Sequence, residues 1–263
     1  MREVCVLIEA PPISIYLDLA SFALIFVSCS VVAMASHISG STKGFVVLRD
    51  IGVPVALVGA LAGAYGIALN LSDPSLIYQS TSLLLVTALY GGIVSGLGIF
   101  IGGQEPSIDS KPNSPLLIYL ATFVTFFMCL WGMEVAAGLK QFFVPVLLFI
   151  FGIVGVLAFV RRKKSVVGVL ADAALFASLL CVIIGLIARF SDYVQAGLQI
   201  SMGGLVLGLL TYLFSVCISY GVGSQGEIDA QRQNWHWLEL TGFLLFMYFA
   251  PETLREVLLA LDA

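Results

Sequence analysis

Four acidic residues fall inside long apolar stretches of this chain: Asp18, Glu134, Asp172 and Glu239. A charge at a bilayer centre costs about 2.5–3.5 kcal/mol on insertion scales, so such residues are either caps and snorkelling ends or members of an ion or proton relay. Asp18 and Glu134 lie toward one set of helix ends, Asp172 and Glu239 toward the other. Asp172 stands seven residues into its stretch with Ala on both sides. It is the leading candidate for an in-membrane carboxylate, with Glu134 second. Asp50, next to Arg49, reads as a solvated or paired end charge.

Hydroxyls give a second set of candidates. Thr87 sits mid-stretch in Leu84-Leu85-Val86-Thr87-Ala88-Leu89-Tyr90, with Tyr90 one turn on and Ser80 and Ser82 to its other side. A threonine there either bonds back to its own helix or offers its hydroxyl to water or an ion. Pro54 lies in the first turns of its stretch and takes a backbone donor from the carbonyl one turn earlier. Catalytic motifs are missing from the sequence: no Gly-rich phosphate loop, no nucleophile elbow, no metal-ligand run. The cysteines are Cys5, Cys29, Cys129, Cys181 and Cys217, four of them within apolar runs, and the histidines, His37 and His236, have no partner spacing. The expectation is no enzyme, no cofactor and no metal, with the thiols buried and inert.

The elements that must hold these residues follow from composition. Of 263 residues 60% are hydrophobic and 11% charged, with mean hydropathy +1.05 and net charge −4. Soluble domains carry roughly 25% charged residues, and a core of this size could not hide so much apolar surface from water. Lipid is the expected solvent and nucleic acid is not an expected partner. Spanning helices need about 20 apolar residues. The sequence predicts an all-α integral membrane protein with seven to eight of them, at 13–36, 46–71, 76–103, 115–139, 141–160, 165–190, 194–222 and 237–261. The last is broken by Pro251-Glu252 and followed by an amphipathic tail. With the N-terminus outside, eight Lys and Arg fall inside and four outside, the RRKK run at 161–164 weighing most. The first apolar run is too long for a signal peptide and reads as a retained span.

Gly66–Asp73 (GIALNLSD) lines up with Gly185–Asp192 (GLIARFSD) at a shift of 119 residues. The expectation is two parallel four-helix repeats, 1–139 and 140–263, each with a hairpin closed by a Ser-Asp turn. Glycines crowd the helices of both hairpins, as Gly59-x-x-x-Gly63 and in Gly91, Gly92, Gly96, Gly98, Gly203, Gly204 and Gly208, and small residues let helices approach closely in lipid.

Residues 49–102 carry a resemblance. Asp50 and Pro54, Gly59-Ala60-Leu61-x-Gly63, Asp73-Pro74 and Thr87-Ala88-Leu89-Tyr90-Gly91 resemble the third and fourth membrane helices of the MotA/PomA stator A-subunit family, within the MotA/TolQ/ExbB proton-channel superfamily. The resemblance covers a fifth of the chain. It implies a homo-oligomeric ring in the bacterial inner membrane around a single-helix, MotB- or ExbD-like partner. It places Pro54 and Thr87 on the ion path, with Tyr90 nearby. Ala60 and Ala88 stand where sodium-driven members have threonines, which points to protons. The segment between the first two helices is too short for a flagellar rotor-gripping domain, so the expected role is non-flagellar. Two other readings stay open: a secondary transporter with parallel repeats, binding its substrate near the midplane, and a structural or assembly membrane protein.

Overall fold

A computed structural model describes residues 18–69, 74–102, 112–160, 166–190 and 194–223. Among them the chain is all-helical. The elements are α1 (Leu19–Ile38), α2 (Gly44–Leu69), α3 (Pro74–Gly102), α4 (Pro115–Ala137), α5 (Pro145–Val160), α6 (Val166–Phe190) and α7 (Val194–Val222). Six of the seven are long and apolar enough to cross a membrane; α5, with 16 residues, is shorter. This is the architecture of a multi-pass membrane protein. Boundaries move by a few residues from the sequence expectation: α1 runs to Ile38, and α5 starts at Pro145, four residues later than expected. The expected eighth helix, at 237–261, lies outside the described residues.

Helix ends follow local chemistry. Asp18 caps α1, its carboxylate accepting from the Ser21 N–H at 2.8 Å. Prolines open α3, α4 and α5, where a missing N–H does no harm. Gly40, Gly138 and Gly223 take positive φ (71°, 81° and 73°) just past α1, α4 and α7, a conformation glycine adopts without a Cβ clash. Glu134 turns back to accept from the Leu139 N–H at 2.6 Å. Both Asp18 and Glu134 thus serve as caps, one of the two roles expected for them.

The bundle is organised around two close hairpins, α2–α3 and α6–α7. Glycine sets their spacing. A methyl group at Gly91 would overlap the Ala56 side chain, and one at Gly98 would overlap the Arg49 backbone. In the second hairpin Gly185 lies against the Gly197 carbonyl, and Gly204 against Cys181. Such approach gains dispersion contacts that lipid cannot supply. Helix α7 then packs on α2 and α4, and α1 fills the angle between α2 and α4. The most buried spans are therefore α2 and α7, while α3, α4 and α5 carry the exposed leucines, isoleucines and phenylalanines. In lipid that exposure is favourable rather than costly. The four cysteines among the described residues are buried free thiols.

Candidate functional site

Helix α1 turns a row of serines into the bundle. Ser21, Ser28 and Ser36 are spaced seven and eight residues apart, two helical turns each time, so they share one face. All three are fully buried. An extra-wide turn at Ala23–Val27 sits between the first two; such π-type turns are enriched at functional sites. Ser21 and Thr87 meet through their hydroxyls at 2.7 Å. At the next level Thr125 of α4 donates to the Ser28 carbonyl at 3.2 Å. The Ser28 and Ser36 hydroxyls have no hydrogen-bond partner among the described residues, which is uncommon for buried polar atoms. Beside Thr125 a cavity of about 10 Å³ is lined by Thr122, Thr125 and Cys217 together with Phe126, Leu210, Leu213 and Phe214, so its walls are mostly apolar.

The same bundle holds a buried carboxylate, Asp50 of α2. Past Gly40 the chain folds under the bundle, and Ser41 donates its hydroxyl to the Tyr220 carbonyl at 2.7 Å. The Tyr220 hydroxyl donates to Asp50 Oδ2 at 2.8 Å, and Arg49 Nε to Asp50 Oδ1 at 2.8 Å. Ser95 of α3 donates to the Arg49 carbonyl at 3.0 Å. The Asp50 side chain is 4% exposed and that of Arg49 17%. Asp50 is therefore a paired charge within the bundle, not a solvated end charge. A buried carboxylate persists only when its charge is matched and its lone pairs are occupied, and here one arginine and one phenol do both. Pro54 stands one turn on from Asp50 and has no N–H to give to the Asp50 carbonyl, so the helix ladder is weakened at the residue that carries the charge.

The residues singled out in the sequence are placed as follows. Thr87 is fully buried, its hydroxyl on Ser21 and its methyl against Gly59. Tyr90 is buried edge-on to Phe22 and Phe26, with ring centroids at 6.0 and 5.8 Å. Thr87 and Tyr90 thus meet α1 together, while Pro54, also buried, belongs with the Asp50 end. Asp172 is half-buried on α6, between buried Ala171 and Ala173, and α6 packs on α5 and α7. Glu134 holds the α4 end. The serine row and the Asp50–Tyr220 bond were not read from sequence. The serine spacing was a visible signal; the tyrosine, 170 residues from its carboxylate, gave none.

Comparison of the chain with family models, with characterised proteins and with solved structures gave no match.

Proposed function

We propose that the chain is a proton-conducting subunit of a MotA/TolQ/ExbB-like, ion-driven membrane complex with a non-flagellar role. In this reading it lies in a bacterial inner membrane with its N-terminus outside, in a homo-oligomeric ring around a single-helix partner. The observations that carry the reading are the row of buried hydroxyls on α1, with Ser21 bonded to Thr87, and the buried, paired Asp50 carboxylate of α2 inside the same apolar bundle. An ionisable group within a spanning bundle is costly to keep and is by default a functional site. Hydroxyls without partners, at Ser28 and Ser36, are groups that can bond a water as a proton passes. Of the residues that carry the resemblance, Thr87 and Tyr90 meet α1 at Ser21, Phe22 and Phe26, and Pro54 stands one turn from Asp50 on α2. Proton uptake by vesicles holding the purified complex, followed with a pH-sensitive dye, tests it. Thr87→Val and Asp50→Asn should each lower the flux at least tenfold with the complex intact. Unchanged flux in both would remove the row from the path.

One observation favours the second reading, a transporter built from two repeats. The Asp50–Tyr220 bond joins the first hairpin to the second, where a repeat transporter would rock. That reading expects a monomer or dimer, and Asp172 to matter more than Thr87.

A further inference from the structure

The two hairpins are built on one plan. In the first, Gly59 of α2 meets Thr87 of α3; in the second, Ser178 of α6 meets Gly208 of α7. A glycine faces a hydroxyl-bearing residue in both, with the partners exchanged. Gly59 and Ser178 are 119 positions apart, the same shift that aligns Gly66 with Gly185, and Thr87 and Gly208 are 121 apart. So α2 corresponds to α6 and α3 to α7.

The hairpins join through unlike helices, α2 of the first and α7 of the second, with Asp50–Tyr220 at one end of the contact. The equivalent contact, between α6 and α3, has no comparable packing among the described residues. Among the described residues its two faces have no covering helix. Val206, Leu209 and Leu213 share the Tyr220 side of α7 and are buried; their counterparts on α3 are Leu85, Ala88 and Gly92, all exposed. A methyl group at Gly92 or Gly96 would meet nothing within 4 Å. On α2, Leu57 and Ala64 share the Asp50 side; their counterparts on α6, Phe176 and Ile183, are exposed, as is Ile187 one turn further. One face is a shallow channel of small residues and the other a ridge of large ones, the shapes that pack helices in lipid.

We propose that a second copy of this chain covers the Ala88–Gly92–Gly96 face of α3 with the Phe176–Ile183 ridge of its α6. The proposal rests on the duplication of the hairpin and on the oligomer of the preceding reading, and it names that oligomer's interface. The contact is head-to-tail: each chain offers one face and lacks the other, so copies add until a ring closes.

Two differently tagged copies, one Ala88→Cys and one Ile183→Cys, co-expressed and oxidised with copper phenanthroline in their own membranes, provide the test, with the unsubstituted chain as background. The expected result is a cross-linked band carrying both tags, and several copies in native mass spectrometry. Gly92→Leu should lose the band and shift the mass to the single 28.1 kDa chain with helix content unchanged, because that site is open within the chain. No mixed band together with a single-copy mass overturns the proposal. So does cross-linking only when both cysteines are in one chain, which would mean that the chain's own residues cover the face. Assembly without proton flux would sink the channel reading and keep the interface; flux from a single copy would do the reverse.

Discussion

Asp50 and Tyr220 tie α2 to α7 through a side-chain hydrogen bond at 2.8 Å. Hydrogen bonds between membrane helices contribute on average about 0.6 kcal/mol, with about 1.7 as a measured upper value. Tyr220→Phe, which keeps the ring and removes the donor, should destabilise the folded protein by that order in a detergent unfolding titration. Asp50→Ala should cost more, because it removes the ion pair with Arg49 as well as the bond from Tyr220. If Tyr220→Phe is more damaging than Asp50→Ala, the phenol hydroxyl serves the fold through something other than this carboxylate. Thr87 has an expected role in stability of similar size. Thr87→Val keeps its shape against Gly59 and leaves the Ser21 hydroxyl alone, at about 1–3 kcal/mol for an orphaned buried group.

At the scale of elements, length and apolarity were enough to read the helices, because a bilayer leaves few other ways to satisfy a backbone. The hairpin glycines were equally legible as packing residues, but their division of labour was not. Gly91 and Gly92 are adjacent in sequence; one is wedged on Ala56 and the other faces nothing within 4 Å. Sequence spacing does not say which side of α3 the partner takes. Gly91→Ala should therefore destabilise the α2–α3 hairpin by about 1–3 kcal/mol, as overpacking does, while Gly92→Ala should stay within about 0.5 kcal/mol in the isolated chain. Thermal unfolding in detergent separates the two, and equal effects would mean a different hairpin register. For Asp50 the sequence left a solvated or a paired end charge open; the fold selects the pairing with Arg49 and adds Tyr220, a partner that spacing along the chain could not show.

In the whole molecule the exposed faces suit lipid, a row of buried hydroxyls lies along α1, and a paired carboxylate sits inside the bundle on α2. The candidates from sequence were partly gathered by the fold. Thr87 and Tyr90 meet α1 together, and Pro54 sits beside the carboxylate. Asp172 and Glu134 stand apart, on α6 and at the α4 end. The path was hard to see because it is shared among helices distant in sequence, whereas each apolar run declares itself alone. The charge count puts the 39–43 turn and the RRKK run on one side of the membrane. In the proposed arrangement buried Asp50 lies nearer that side and Ser21–Thr87 nearer the other. A thiol reagent that does not cross membranes should label Thr42→Cys only in inside-out vesicles, and labelling in intact cells would invert the arrangement.

The most direct measurement is proton flux through the purified complex in sealed vesicles, with and without Asp50→Asn. Flux well above that of empty vesicles, falling at least tenfold in the variant while its mass in native mass spectrometry is unchanged, is the result expected of a proton-conducting subunit. Wild-type vesicles no leakier than empty ones, or a variant that conducts as well as the wild type, would contradict it.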